Sequence, residues 1–261
     1  ASTLSSTGLL LSSKTPRFSE GLANSSGALG HYLMDHHKSI DSYGTLEGHL
    51  DKMYKGFRPA SIAIPRFRNV NKQEMDYLRG FGIWGSASRS GMDASQVGIG
   101  AGFKKSLTQL GPWKMHLQSY GECLPNFDNK VELNQENKDK WGLPLLKIST
   151  EYGENERKMR EDMKDQVREL MEVAGLKDIT VKVGEGVLGD SVHEMGTARM
   201  GRDPKSSVLN GFNQCHDVPN LFVTDGSCMT SSGHMSPSLT YMALTARACD
   251  YAVKQMKKGV I

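Results

Sequence analysis

The sequence predicts an α+β fold, and three observations carry that prediction. Short runs of β-forming residues, separated by polar or Gly-rich turns, recur through the middle of the chain. One long stretch, Glu156 to Ala174, repeats apolar residues at spacings of three and four. A second such stretch, from about Ser238 to Lys257, is entered through Ser-Pro-Ser. The pattern fits an antiparallel sheet with helices on one face.

The elements follow in order. Thr3 to Leu11 reads as a strand or a strand-to-helix piece rich in small residues. Asn24 to Gly30 is a Gly/Ser turn, followed by Leu29 to His37 (LGHYLMDHH). Ile62-Ala63-Ile64, Ile83-Trp84 and Met115 to Tyr120 have strand character. Lys130 to Leu133 and Leu145 to Ile148 form a strand pair, joined by a polar turn from Asn134 to Trp141. In the first long helix Met159, Met163, Val167, Leu170, Met171 and Ala174 make one stripe, and Gly175 sits at the position that ends a helix. Its methionines read as core filler rather than a ligand set. Thr180 to Val183 is a strand, and Leu221 to Val223 is a short one ending at Asp225-Gly226. In the last helix Leu239, Met242, Ala243, Ala246, Cys249, Ala252, Val253 and Met256 form a stripe, with Pro237 at its first turn.

Composition narrows the class. Apolar residues make up 38% and charged residues 23%, as in soluble globular proteins. A net charge of +3 with no Lys/Arg cluster argues against nucleic acid. No window approaches about eighteen uninterrupted apolar residues, so no membrane span is expected. The four cysteines (Cys123, Cys215, Cys228, Cys249) form no CxxC and are expected as buried free thiols. The opening ASTLSSTGLLLSS lacks both an initiator Met and a basic region, which reads as a chain beginning mid-protein.

The most specific signals lie between Ser191 and Asp250. His193 heads HEMGTARMG, VPNLFVTDGS follows, and SPSLTYMALTARACD opens the last helix. A histidine titrates near neutrality, so His193 is the candidate general base. Ser236 cannot act as a base at neutral pH; it can orient a hydroxyl or cap the last helix. His234 stands two residues away as a substitute imidazole. Arg199 and Thr197 are expected to brace the His193 turn, and Asp35 and His36 to be structural. Gly98-Ile99-Gly100-Ala101-Gly102 is a poor match to a phosphate-binding turn, because its third spacing is wrong and no acidic residue follows at the required distance.

These motifs resemble the C-terminal half of the glucose–methanol–choline (GMC) flavin oxidoreductases, and in particular the sugar and gluconate dehydrogenase large-subunit branch. HEMGTARMGRDPKSSVLN is similar to the family's catalytic-histidine segment, VPNLFVTDGS to its flavin-contacting turn, and SPSLTYMALTARACDYA to its closing helix. CLPNFDNKVELNQENKDKWGLPLLKI resembles the substrate-domain hairpin, and LGHYLMDHH the "leucine, Asp-His" segment. The resemblance implies FAD as cofactor. It assigns residues 1–37 and 186–261 to an FAD-binding domain and 38–185 to a substrate-binding domain. It implies His193 as base beside Ser236, and flavin contacts from Asp225, Gly226, Met235, Ser236 and Pro237. The implied substrate is a sugar or related polyol, and the implied acceptor is a cytochrome- or quinone-linked subunit.

Two departures stand out. The family's Gly-rich nucleotide-binding part does not appear, so the chain is expected to be a fragment or one chain of the enzyme, partnered by the missing N-terminal FAD-domain segment. Ser236 occupies the position where the family places His or Asn. That favours an alternative, a non-catalytic accessory module. A hydrolase or lyase using His193 is a weaker reading, because no nucleophile motif accompanies it.

Overall fold

The computed structural model describes residues 2–52, 61–89, 98–189 and 192–261. Ser191, the first residue of the histidine segment, lies outside them. The elements in chain order are α1 (Thr3–Ser12), β1 (His36–Leu46), β2 (Ser61–Ile64), β3 (Phe81–Arg89), α2 (Ala101–Ser106), β4 (Trp113–Glu122), β5 (Lys130–Lys138), β6 (Pro144–Ser149), α3 (Glu154–Val173), β7 (Lys177–Val183) and α4 (Ser238–Lys257). They divide into two compact units. One comprises Ala1–His37, Gly121–Glu156 and Gly186–Ile261; the other comprises Lys38–Tyr120 and Arg157–Glu185. Residues 121–156 therefore group with the two flanks and not with 38–120.

The second unit is a five-stranded sheet in the order β2-β3-β4-β1-β7, covered by α3. The β1–β7 and β2–β3 pairs are antiparallel. Ile40, Phe81, Ile83 and Leu117 from the strands pack with Met159, Met163, Val167 and Met171 of α3, and all eight are buried. This is the stripe the spacing predicts, except that Ala174 is exposed. The helix stops where Gly175 takes φ +78° and the Leu176 N–H closes onto the Met171 carbonyl at 3.0 Å. The Asp162 carboxylate accepts both Arg68 N–H groups at 2.9 and 3.0 Å and the Tyr77 hydroxyl at 2.6 Å. That set fixes the loop from Arg68 to Tyr77 against the helix.

The first unit has less regular structure. Its hairpin β5–β6 pairs antiparallel, with Val131 opposite Ile148. β5 extends to Lys138, so the turn is shorter than the sequence suggests. The hairpin is pinned to the 30–33 segment by Val131 N–H to Gly30 O and Leu33 N–H to Asn129 O, both 2.8 Å. These bonds explain why 121–156 belongs with the flanks.

Five sequence expectations need correction. Thr3 to Leu11 is wholly helical; its buried face is Thr3, Ser6, Thr7 and Leu10, a helical stripe made largely of hydroxyls. β1 was not anticipated, because its buried positions are His36, His37, Ser39 and Ser42 rather than β-branched residues. Leu221 to Val223 is no strand, and Phe222 makes a single bridge to Gln214. The apolar stripe of α4 faces outward: Leu239 is 78% exposed, Met242 68% and Met256 64%. The face that packs inward carries Leu244 and Ala248. Cys249 on that outer face is exposed, whereas the other three thiols are buried as expected.

Candidate active site

The segment from His193 to Met200 lies between two other backbone segments of the first unit. On one side Met195 exchanges both backbone bonds with Met34 at 2.8 Å, and Thr197 N–H reaches His31 O at 3.0 Å. On the other side Gly196, Ala198 and Met200 donate to the carbonyls of Gly226, Ser227 and Cys228 at 3.1, 2.9 and 3.0 Å. Close approach dictates the glycine: a Cβ at Gly196 would lie 2.0 Å from the Tyr32 carbonyl oxygen, and its φ is +86°. Thr197 also has positive φ, +77°, an unfavourable conformation for a β-branched residue. Its buried hydroxyl meets that of Thr7 at 2.6 Å, which helps hold it there. The Arg199 guanidinium stacks over Tyr32 at 4.2 Å. Both residues brace the turn.

His193, half-buried, projects from the start of this held segment. Its Nδ1 lies 2.8 Å from Nε2 of His36, with the rings edge-on at 89°. His36 is only 2% exposed, and its own Nδ1 lies 2.6 Å from the Gly233 carbonyl oxygen. Burial pushes the His36 pKa down; Asp35 opposes this, while His193 and His234 reinforce it. His234 Nδ1 stands 3.9 Å from the buried Glu122 carboxylate. His36 and His37 point apart as adjacent strand residues must, and the His37 ring packs on Tyr152 at 4.5 Å. Asp35 caps no helix: its carboxylate accepts from the His36 N–H at 2.7 Å and the Gly189 N–H at 3.2 Å.

The loop after Gly233 continues the site. Met235, Ser236 and Pro237 line a cavity of about 270 Å³ together with Met195, Gly233 and His234. Ser236 is exposed and Pro237 buried. Ser236 caps nothing: α4 starts from Pro237 with no side-chain cap. The structure therefore brings His193, Gly233 and the 234–237 loop together through His36.

Asp225 and Gly226 lie against the backbone of the His193 segment, through the bond from Gly196 N–H to Gly226 O. The Asp225 carboxylate accepts from the Ser6 hydroxyl, and from Ser227 N–H at 2.9 Å and Ser227 Oγ–H at 2.6 Å. It caps a short turn, Gly226–Cys228. A Cβ on Gly226 would lie 2.4 Å from both the Glu194 carbonyl oxygen and Thr3 Oγ1. Asp225 lines a larger cavity of about 780 Å³ with Ser6, Leu9, Phe222, Tyr241 and Met242. The Tyr241 hydroxyl is buried and has no hydrogen-bond partner among the described residues. Gly98 to Gly102 are exposed at the start of the short helix α2. Among the described residues no group of three or more His, Cys, Asp or Glu is placed to hold a metal, and no helix is long and apolar enough to cross a membrane.

Residues 125–245 match the GMC oxidoreductase family model for the C-terminal domain. The chain carries a GMC oxidoreductase C-terminal domain. It is 33% identical to 2-methyl-1,2-propanediol dehydrogenase of Mycolicibacterium austroafricanum, over 93% of this chain and 45% of that protein. It is 27% identical to the fructose dehydrogenase large subunit of Gluconobacter japonicus, over 96% of this chain and 46% of that one. It is 32% identical to the gluconate 2-dehydrogenase flavoprotein of Pantoea cypripedii, over 71% and 32%. The chain thus spans less than half the length of these relatives. The GMC-type domain contains His193 and the 234–237 loop. His36 lies outside the matched stretch, and sequence reading passed over it as structural; the one signal for it was its place in LGHYLMDHH.

Proposed function

We propose that this chain is the C-terminal part of an FAD-dependent dehydrogenase that oxidises a hydroxyl of a sugar or related polyol. The observation that carries the reading is His193: a half-buried imidazole on a backbone segment bonded on both sides, with one ring nitrogen engaged by a buried histidine. The family match and the polyhydroxylated compounds named by the relatives support the substrate class.

The residues present suit a flavin. The N-terminus of α4, which no side chain caps, favours negative charge on a group bound beside Met235, Ser236 and Pro237. The unpartnered Tyr241 hydroxyl and the Asp225–Gly226 turn offer polar contacts at the larger cavity. When bound, the flavin supplies the hydride acceptor. The protein's own contribution is to hold the substrate hydroxyl near Ser236 and to take its proton on His193. The outward apolar stripe of α4, with Leu9 of α1 at 67% exposure, supports a covering segment; in this reading that segment is the N-terminal FAD-domain part. An electron-accepting subunit, cytochrome- or quinone-linked, completes the assembly by analogy with relatives named as subunits.

The test is an absorption spectrum of the full-length protein with sugars and diols added anaerobically. Bleaching of flavin bands by one of them, lost in His193→Ala, is the expected result. A full-length protein that takes up no flavin even after reconstitution would make the accessory-module reading the better one, and the exposed Ser236 would then mark a site relieved of chemistry.

A further inference from the structure

We infer that His36 is a positioning residue: it fixes the tautomer of His193, so that Nε2 of His193 is the atom that takes the substrate proton. This rests on the reading of His193 as the base.

Hydrogen-bond parity fixes the tautomer. The Gly233 carbonyl oxygen can only accept, so His36 Nδ1, 2.6 Å away, must carry a proton. A neutral imidazole carries a single proton, so Nε2 of His36 is then a bare acceptor. His193 Nδ1, 2.8 Å from it, must donate. With its proton on Nδ1, neutral His193 has a bare Nε2, and that is the only ring atom left to act as base. The relay needs a neutral His36, and burial favours that form. Among the described residues, the titratable groups beside His36 include Asp35, the residue before it, His193, Tyr152, and His234 from the 233–237 loop, with Glu122 beside His234. In the reaction the substrate O–H bond breaks and its proton goes to His193 Nε2. The oxygen keeps the bonding pair and forms the carbonyl as the carbon's hydride leaves to the flavin. His193 is then an imidazolium with N–H on both nitrogens, and the His36 Nε2 lone pair stabilises the Nδ1 side. In serine-hydrolase triads a carboxylate does this work. A neutral imidazole gives the same orientation without adding a carboxylate's charge at that position.

The decisive comparison is between His36→Gln and His36→Leu in the full-length protein. The glutamine carbonyl can replace Nε2 as acceptor; leucine cannot. Two readouts apply. In protein labelled with ¹⁵N-histidine, NMR should report His193 as the single Nδ1–H tautomer in the wild type and in His36→Gln, and as a mixture in His36→Leu. In the rate profile, His36→Leu should lower kcat at least tenfold and move the acid limb of kcat/KM to lower pH, because the imidazolium has lost its acceptor. His36→Gln should stay within a few-fold with an unmoved limb. Mixed tautomers of His193 in the wild type, or indistinguishable behaviour of the two variants, would overturn the proposal. If the leucine variant fails to fold, the wild-type tautomer and the glutamine profile still decide. The readouts also separate this idea from the functional reading. A fixed tautomer with no flavin bleaching by any alcohol sinks the dehydrogenase and leaves the relay; bleaching with mixed tautomers does the reverse.

Discussion

Ser6 donates its hydroxyl to the Asp225 carboxylate, although the two are 219 positions apart in sequence. The bond ties α1 to the turn at Gly226–Cys228, and Ser227 supplies the other two donors to the same carboxylate. Removing the hydroxyl in Ser6→Ala leaves a part-buried charge short of a donor. The expected cost is about 1–3 kcal/mol. A urea midpoint unchanged by Ser6→Ala would show that water replaces the bond at no cost.

Gly226→Ala is expected to fail more severely. The added methyl meets two oxygens, Glu194 O and Thr3 Oγ1, and the first belongs to backbone held in the His193 segment. Soluble yield and far-UV circular dichroism are the readouts. A variant that folds and melts with the wild type would mean that the Gly226 and Glu194 segments can separate at little cost.

Met163→Ala tests the core of the sheet-and-helix unit. Met163 is fully buried among strand residues, so truncation should cost about 2–5 kcal/mol. Val173, at the end of the same helix, is 83% exposed, and Val173→Ala should stay within about 0.5 kcal/mol. Equal denaturant midpoints for the two variants would contradict the assigned helix face.

His36 sets a pH dependence of stability. Its native pKa lies below the unfolded value of 6.5, chiefly through burial. Just below that pH the unfolded chain binds a proton that the native state refuses. The linkage slope is therefore positive: stability is fully present above about pH 6.5 and declines as pH falls from there toward the native pKa. Thermal melts of wild type and His36→Gln at pH 5 and 7.5 should differ in slope, with the shallower loss in glutamine. A steeper loss in glutamine would reverse the sign.

The outer face of α4 discriminates between a covered and a bare surface. Met242 is 68% exposed. Substitution at a bare surface usually stays within about 0.5 kcal/mol. If a further segment covers this face in the full-length protein, Met242→Lys buries a charge there and lowers flavin retention as well as melting temperature. Unaltered flavin content and melting would leave the face without a covering segment.

Where the buried face is made of hydrocarbon, the sequence was readable. Met159, Met163, Val167 and Met171 repeat at helical spacing, and α3 was located to within two residues at its start and one at its end. Strands β2 to β7 each left a short β-forming core. Where the buried face is polar, the same reasoning failed. Helix α1 buries Thr3, Ser6 and Thr7, and β1 buries His36, His37, Ser39 and Ser42. Hydrophobic periodicity is blind to both, since their partners lie far away in sequence. Helix α4 was located correctly but its face was inverted, because the stronger apolar stripe is the one turned away from the rest of its unit. Of the candidate site, the motifs point to His193 and the 234–237 loop. They do not point to His36, because its meaning depends on a ring nitrogen 157 positions away.

The hydroxyl stripe of α1 also has a consequence in time. Thr3, Thr7 and Ser6 find their partners at Glu194, Thr197 and Asp225, separations of 191, 190 and 219 residues. At translation rates of about 5–20 residues per second, α1 leaves the ribosome some 10–40 s before those partners exist. The hydroxyl contacts of α1 therefore form only once the last quarter of this chain is made, and until then its polar face stays solvated.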